Sequence, residues 1–208
     1  MKHLIIITGP QGSGNHLWSK ILALHPAVYG WSDLLDDYWI GHDNEPFNQY
    51  WLDPYRLHDF DWSISDYHVT SISMPYMQNG EQVMPDIDSF YNEASKHARV
   101  SLCVIGRDRN VIDMQQQRVR GKHTWPHALS VVASLKSPIL IFLSFELLHL
   151  YRSQYLKQIS TQLNFPLASD DDRIQEILAE DANKKYFQPV DYHWVDDLAH
   201  QTSRRRNG

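Results

Sequence analysis

Three things are scarce in this sequence: cysteine, long apolar runs and positive charge. The single cysteine, Cys103, cannot form a disulfide within the chain, which excludes a disulfide-stapled secreted scaffold. The first apolar run, residues 4–7, is too short for a secretory signal, and no run approaches the roughly 20 residues of a membrane span. The formal net charge of −6 disfavours general binding to nucleic acid. We therefore expect a cytoplasmic protein, without nucleic-acid or membrane partners, whose basic sites are local.

Short apolar runs and helical patterns alternate along the chain. Three of the predicted strands are short and almost wholly apolar, namely 4–8, 100–105 and 138–143, and a further strand is predicted at 67–73. The predicted helices carry apolar residues at helical spacing: 17–24, 86–96, 109–118, 126–135, 148–163 and a last one after 169. Such alternation is typical of right-handed βαβ units. It predicts an α/β fold, a three-layer α/β/α architecture with a central parallel sheet.

The domain organisation predicted from the length is one α/β domain over residues 1–200, since a chain of this size buries a substantial single core. Residues 27–66 differ from the rest because aromatic and acidic residues alternate there, and we predict an irregular or short-helical insertion. Its rings can line an acceptor pocket or, as is more common, belong to the core. Residues 201–208 include three arginines and are predicted to form a flexible basic tail.

A glycine-rich loop, Gly9 to His16, joins the first predicted strand to the first predicted helix. Gly9 and Gly14 have the spacing of a Walker A loop, whose backbone N–H groups surround a phosphate or sulfate at a helix start. Asn15 and His16 occupy the places of the lysine and the Ser/Thr that hold the outer phosphates and magnesium in nucleotide-hydrolysing loops. A neutral amide and an imidazole replace them poorly, which disfavours an ATP-dependent phosphotransferase. A turn with no ligand remains the structural alternative.

The loop and two later segments resemble the sulfotransferase superfamily, whose members transfer sulfate from 3′-phosphoadenosine 5′-phosphosulfate. Residues 13–17 (SGNHL) resemble the phosphosulfate loop, and residues 25–28 (HPAV) resemble the His-Pro segment that often follows its helix. Arg107 and Asp108, after the predicted strand 100–105, resemble the Arg-Asp-Pro segment whose arginine binds the 3′-phosphate. Residues 145–148 (FELL) resemble the family's Tyr-Glu-Asp-Leu segment at a strand-to-helix junction.

The resemblance implies a divergent member with a P-loop-containing, sulfotransferase-like fold, a transferase that moves a sulfuryl group to a hydroxyl of a small-molecule or carbohydrate acceptor. It implies 3′-phosphoadenosine 5′-phosphosulfate as the co-substrate. The twelve histidines lack ligand spacing, so we expect no metal. The residues that the resemblance implies for co-substrate binding are Gly9, Gln11, Gly12, Ser13, Gly14, Asn15, His16, Leu17, Arg107 and Gln115. Gln115 stands near the place of the family's phosphate-binding serine.

Two of the family's catalytic positions carry other residues in this sequence. Gly12 stands where the family has a lysine or arginine, and Ser73 stands where its cytosolic branch has a histidine. His16 can supply positive charge beside a bound phosphosulfate, and Glu45 can serve as a substitute base. We therefore take His16, Glu45 and Ser73 as the candidate catalytic residues. Two alternatives stay open: a P-loop nucleotide or nucleoside kinase, and a catalytically inactive relative that only binds a nucleotide or anion.

Overall fold

A five-stranded parallel sheet forms the centre of the fold in the computed structural model, which describes residues 1–37, 41–78, 81–136 and 140–179. The strands and α-helices, in chain order, are β1 (His3–Pro10), α1 (Asn15–Ala23), β2 (Val28–Tyr29), α2 (Asn48–Leu52), β3 (Tyr67–Met74), β4 (Tyr76–Gln78), β5 (Glu81–Val83), α3 (Ile87–Ala94), β6 (Arg99–Gly106), α4 (Arg109–Arg120), α5 (Trp125–Ser134), β7 (Leu140–Ser144), α6 (Phe145–Leu163) and α7 (Arg173–Ala179). Short 3₁₀ helices occur at Ser32–Leu35, His42–Asn44, Pro54–Asp59 and Trp62–Ile64.

The strand order in the sheet is β2-β3-β1-β6-β7, and every neighbouring pair is parallel. All eight residues of the central strand β1 are buried, because strands flank both of its edges and helices cover both faces of the sheet. The strands predicted at 4–8, 67–73 and 100–105 lie within β1, β3 and β6, and the described part of the fourth lies within β7. The predicted α/β fold with a central parallel sheet is therefore confirmed.

Helices pack on both faces of the sheet. The side chains of Ile5 and Ile7 in β1 belong to an apolar cluster that includes α1, α6 and α7. Those of Leu4 and Ile6 belong to a second cluster that includes α2, α3 and α5. This division follows from the two-residue period of a strand, which sends successive side chains to opposite faces. It produces the three-layer α/β/α arrangement that the sequence predicts.

The predicted insertion at 27–66 contains β2, α2 and the 3₁₀ helices, while its residues 38–40 lie outside the described ranges. Its short-helical character matches the prediction. Phe47 is fully buried, and the Trp51 ring stacks on Phe90 with ring centres 3.7 Å apart. Tyr55, by contrast, is 71% exposed. The segment therefore supplies core rings to the second apolar cluster, as the more common of the two interpretations expects.

Helix α6 has 19 residues and is interrupted at Arg152, whose φ of 43° and ψ of −119° are not helical. Leu148, Leu156 and Ile159 are buried on its inner face, whereas Leu150 and Tyr151 are exposed. None of the helices within the described ranges combines the length and the apolar character needed to cross a membrane.

The chain divides into a compact unit over Met1–Leu178 and a second one from Ala179 onward. All described residues except Ala179 belong to the first unit. The predicted end of the domain at residue 200 and the predicted basic tail at 201–208 lie outside the described residues.

Candidate anion-binding site

The glycine loop lies at the topological switch point of the sheet. The chain leaves β1 toward β2 and β3 on one side, whereas β6 and β7 lie on the other side. Ligands of open α/β sheets bind at such a point, outside the carboxyl ends of the strands. Because β1 ends at Pro10 and β6 ends at Gly106, the loop and Arg107 follow neighbouring strands. The topology therefore brings two sequence-predicted binding segments to one place.

The loop depends on two glycines in the left-handed region of backbone space. Gly12 has a φ of 88° and Gly14 a φ of 112°, values that other residues adopt only with strain. A Cβ atom at Gly12 would lie 2.6 Å from Oε1 of Gln115, and one at Gly14 would lie 2.8 Å from the Phe145 ring. Backbone conformation and available space both require glycine at these two positions.

The backbone N–H groups of the loop divide into paired and unpaired ones. The Ser13 amide donates to the Pro10 carbonyl at 3.0 Å and closes the turn. The amides of Gly12, Gly14 and Asn15 donate to no acceptor among the residues that the structure describes. Gly14 is the N-cap of α1 and has no side chain with which to cap it. The positive end of the helix dipole is therefore open to an anion.

Buried polar side chains without partners concentrate around the same loop. Of the ten such atoms within the described ranges, five lie here: Oγ1 of Thr8, Oε1 of Gln11, Oγ of Ser13, Oδ1 of Asn15 and Oγ of Ser71. An unpaired buried polar group costs about 1–3 kcal/mol. Since most buried polar groups in proteins are paired, a cluster of unpaired ones at one end of a sheet indicates a place for a polar ligand.

Asn15 links the loop to β3. Its Nδ2 donates to Oγ of Ser73 at 2.8 Å, and Gly9 lies opposite Ser73 in the register of β1 and β3. The candidate catalytic serine therefore lies beside the loop, although 58 positions separate it from Asn15. A hydroxyl that accepts one hydrogen bond can still donate its own proton, so Ser73 can bind an oxygen atom of a ligand.

Arg107 lies across the loop, between β6 and α4. Its Nη1 donates to the Gly12 carbonyl at 2.7 Å and to Oε1 of Gln115 at 3.2 Å. The guanidinium carbon lies 4.1 Å from the centre of the Phe145 ring, within the range of a cation–π interaction. Three sequence-predicted residues, Gly12, Arg107 and Gln115, are thus joined by hydrogen bonds, and a positive charge is held at the loop.

Glu146 fixes the turn that follows β6. Its Oε1 accepts from the Asp108 amide at 2.7 Å, and its Oε2 accepts from the Ser144 hydroxyl at 3.2 Å. Asp108 in turn caps α4 by accepting from the amides of Asn110 and Val111. The Glu146 carboxylate therefore positions the β6–α4 turn against the start of α6.

Sequence reasoning missed Gln116, the neighbour of Gln115. Its side chain is fully buried. Nε2 donates to the Gln11 carbonyl at 2.8 Å, and Oε1 accepts from the amides of Thr124 at 2.7 Å and Trp125 at 3.2 Å. Gln116 thus ties the loop to the turn between α4 and α5. The sequence gives no signal for it, because it is the middle residue of three consecutive glutamines.

His16, in the first turn of α1, packs against the insertion. Its ring centre lies 4.9 Å from that of Trp31 and 5.1 Å from that of His42. Burial, with a smaller contribution from His16, lowers the pKa of His42 to about 3. His42 is therefore neutral at physiological pH.

Glu45, the candidate base, lies inside the protein at the edge of β3. It is 3% exposed, and its oxygens accept from the Phe47 amide at 2.9 Å and the Ser71 amide at 3.3 Å. The Thr70 hydroxyl is a third hydrogen-bond partner. Burial raises the pKa of Glu45 to about 8 despite these hydrogen bonds. The carboxyl group is therefore mostly protonated at neutral pH and is enclosed by protein atoms.

Leu17 is the predicted binding residue whose side chain lies in the core. It is 5% exposed and belongs to the apolar cluster on the α1 face of the sheet. Only its backbone can contribute to ligand binding at the helix start.

Comparisons with known proteins are sparse. No protein-family model matches the chain, and no curated protein sequence matches it. Among solved structures, the chain is similar to the crystal structure of mouse sulfotransferase SULT7A1 complexed with PAP, with 11% identity and a TM-score of 0.44. The match covers 86% of this chain and 63% of that chain, so this chain spans less than two thirds of the length of its structural neighbour. The similarity is a distant structural relationship.

Proposed function

We propose that the chain is a sulfotransferase-like protein that binds 3′-phosphoadenosine 5′-phosphosulfate at the glycine loop and transfers its sulfuryl group to a hydroxyl of a small acceptor. The proposal rests on the unpaired amides of Gly12, Gly14 and Asn15, which adjoin buried side chains that also lack partners in the described ranges. An anion with several oxygens accepts from such amides and from hydroxyl groups at once.

The residue types in the loop favour a phosphosulfate over a magnesium-bound triphosphate. A kinase loop needs a lysine for the outer phosphates and a hard oxygen ligand for magnesium, and Asn15 and His16 provide neither. Within the described ranges, no group of three or more His, Cys, Asp or Glu side chains is arranged to hold a metal ion. Sulfuryl transfer can proceed with amides, hydroxyls and a nearby cation alone.

Arg107 is the residue that we assign to the 3′-phosphate. Its guanidinium is a rigid planar fork that suits phosphate oxygens, and it is pre-positioned by Gln115 and by the Phe145 ring. Such pre-positioning lowers the entropic cost of binding, because the long side chain is already ordered.

The transfer step breaks the bond between sulfur and the oxygen that bridges it to the 5′-phosphate, and forms a bond between sulfur and the acceptor oxygen. The acceptor proton leaves to solvent, and negative charge accumulates on the departing phosphate. The loop amides and a proton on His16 stabilise that charge, while the hydroxyl of Ser73, held by Asn15, orients the acceptor oxygen. The enclosed carboxyl of Glu45 has no part in this step.

Thermal unfolding with three ligands tests the proposal: 3′-phosphoadenosine 5′-phosphate, ATP with magnesium, and sulfate. At about 100 times the dissociation constant we expect the first to raise the melting temperature by roughly 5–10 °C, since binding to the folded state stabilises it. Stabilisation by ATP with magnesium alone would identify a kinase and overturn the proposal. Release of 3′-phosphoadenosine 5′-phosphate from the phosphosulfate, dependent on a hydroxylated acceptor, tests transfer. Binding without such release would indicate an inactive binding protein.

A further inference from the structure

A second cavity, of about 270 Å³, opens beside the carboxyl end of β3. Its walls combine the residue after β3, the β4–β5 hairpin and the turn between α4 and α5. The lining residues that matter are Pro75, Met84, Lys122, His123, Thr124 and His127. None of the described residues that form its walls belongs to the glycine loop, and Pro75 lies two positions beyond Ser73 in the chain.

The charge of this cavity is opposite to that of the chain as a whole. Among the described lining residues, every titratable side chain is a base, namely Lys122, His123 and His127, whereas the chain carries a net charge of −6. The nearby carboxylate of Asp113 lies 3.2 Å from Nδ1 of His123 and is also paired with Arg109 at 3.5 Å. The cavity therefore favours an anionic group over a neutral one.

The start of α5 adds unpaired hydrogen-bond donors to the cavity. Thr124 is the N-cap of this ten-residue helix, but its side chain makes no capping hydrogen bond. The side chain is only 7% exposed, and its hydroxyl has no partner within the described ranges. The amide of His127, the third residue of the helix, donates to no acceptor among the residues that the structure describes. A buried unpaired hydroxyl and one unpaired amide at the helix start, beside three bases, form a built anion site.

Gln116 connects this site to the glycine loop. One end of its buried amide donates to the Gln11 carbonyl in the loop, and the other accepts from the Thr124 amide at the start of α5. The Gln116 side chain therefore links the glycine loop to the start of α5 by hydrogen bonds. Pro75 and Met84 supply an apolar wall of the cavity, where the hydrocarbon frame of a ligand can pack.

We infer that this cavity binds the acceptor through an acidic group, so that the substrates are small hydroxylated compounds that also carry a carboxylate, phosphate or sulfate. The inference rests on the proposed function, because the acceptor hydroxyl must reach a sulfuryl group at the glycine loop. The acidic group binds Lys122, the Thr124 hydroxyl and the start of α5, and the hydroxyl is directed toward Ser73.

Calorimetric titration of the full chain with matched acid and amide probes tests this inference. The pairs are para-hydroxybenzoate with para-hydroxybenzamide and mandelate with mandelamide, which differ mainly in charge. We expect each acid to bind about tenfold more tightly than its amide, since hydrogen bonds to a charged group are stronger than those to a neutral one. Equal affinity for acid and amide in both pairs would overturn the inference.

Two variants and one control locate the binding. Lys122→Met and Thr124→Val are each expected to weaken binding of the acids by about tenfold. Lys157→Met removes an exposed lysine that pairs with Asp170 at 2.8 Å, away from the cavity, and should bind the acids as the parent chain does. Unchanged affinity in both cavity variants would overturn the assignment.

Binding measurements with inorganic phosphate and with 3′-phosphoadenosine 5′-phosphate distinguish an acceptor site from a site for a free inorganic ion, and distinguish failure of this inference from failure of the proposed function. If phosphate binds more than tenfold more tightly than either acid and is lost in Lys122→Met, the cavity holds a free inorganic ion, and the acceptor assignment fails. If 3′-phosphoadenosine 5′-phosphate binds the parent chain and both cavity variants alike, the proposed function stands whatever the acids do. If it binds none of them while the acids bind as expected, the proposed function fails and the second anion site survives.

Discussion

The polar atoms around the buried carboxyl of Glu45 and those of the glycine loop differ in whether they have hydrogen-bond partners. Around Glu45, the amides of Phe47 and Ser71 and the hydroxyl of Thr70 satisfy both oxygens. Around the loop, the Ser13 hydroxyl and several amides have no partner among the described residues. The first arrangement stabilises the folded chain on its own, whereas the second leaves hydrogen bonds to be made by a ligand. Stability and binding should therefore respond to substitutions in different places.

Removing the Glu45 side chain should produce the largest loss of stability. Glu45→Ala removes the acceptor of two backbone amides in the interior and a hydrogen-bond partner of the Thr70 hydroxyl, and it opens a cavity. We expect the free energy of unfolding to fall by about 3 kcal/mol or more. Urea denaturation measures it, with the exposed Glu176→Ala in α7 as the matched control, expected within about 0.5 kcal/mol of the parent. A loss no larger than that of the control would show that the Glu45 hydrogen bonds contribute little.

Replacing Arg107 should reduce binding rather than folding. Arg107→Gln removes the positive charge at the loop and with it about 2 kcal/mol of affinity for 3′-phosphoadenosine 5′-phosphate, or roughly thirtyfold. Arg173→Gln, which breaks an exposed ion pair with Asp171, is the control and should bind normally. Calorimetry measures both. Undiminished affinity in Arg107→Gln would remove this residue from the proposed nucleotide site.

The raised pKa of Glu45 predicts how stability depends on pH. Its folded pKa is about 8 and its unfolded pKa about 4.5, so the folded chain binds more protons between these values, and stability falls as pH rises through them. The buried histidines His3, His42 and His68 have folded pKa values of about 3–4. These lowered values act in the other direction, and their effect fades as the pH rises above the unfolded histidine pKa of 6.5.

A comparison of the parent chain with Glu45→Gln, which cannot ionise, therefore isolates Glu45 between pH 6.5 and 8, because the histidines contribute equally to both chains. We expect the unfolding free energy of the parent to fall by about 1–2 kcal/mol relative to that of Glu45→Gln across this window. Denaturation curves at pH 6.5, 7.2 and 8 measure the slope for both chains. Parallel slopes would mean that the carboxyl already carries its charge at neutral pH in the folded state.

Strong apolar patterns made the centre of the fold predictable from the sequence. Three of the four predicted strands lie within β1, β3 and β6, and Cys103 is buried in β6, where burial raises its pKa to about 12. The two-residue strand β2 and the β4–β5 hairpin were not predicted, because segments of two or three residues show no period. The kink of α6 at Arg152 also has no signal in the sequence, since neither proline nor glycine stands there.

The part of the candidate site formed by the glycine loop could be predicted from the sequence. The parts that depend on packing between distant segments could not. The loop motif identified Gly12, Gly14 and Asn15 because local backbone geometry dictates those residue types. The surroundings of Glu45 come from the insertion that packs on β3, a contact between segments about 25 residues apart that no local pattern encodes. Gln116 was missed for the same reason, since its partners lie before and after it in two different turns.

The smallest expected change in stability comes from Ser13→Ala, and it is the sharpest test of the comparison. The Ser13 hydroxyl is buried without a partner among the described residues, so its removal should change the free energy of unfolding by less than about 0.5 kcal/mol, or raise it slightly. Ser101→Ala is the matched control, because that buried hydroxyl is bonded to Nε2 of His3 at 2.9 Å and its loss should cost about 1 kcal/mol. The effects on binding should have the reverse order. Ser13→Ala should weaken the affinity for 3′-phosphoadenosine 5′-phosphate by about fivefold, and Ser101→Ala should leave that affinity unchanged. If Ser13→Ala instead destabilises the chain as much as Ser101→Ala and binds normally, the loop hydroxyl serves the fold, and the distinction between the two regions does not hold.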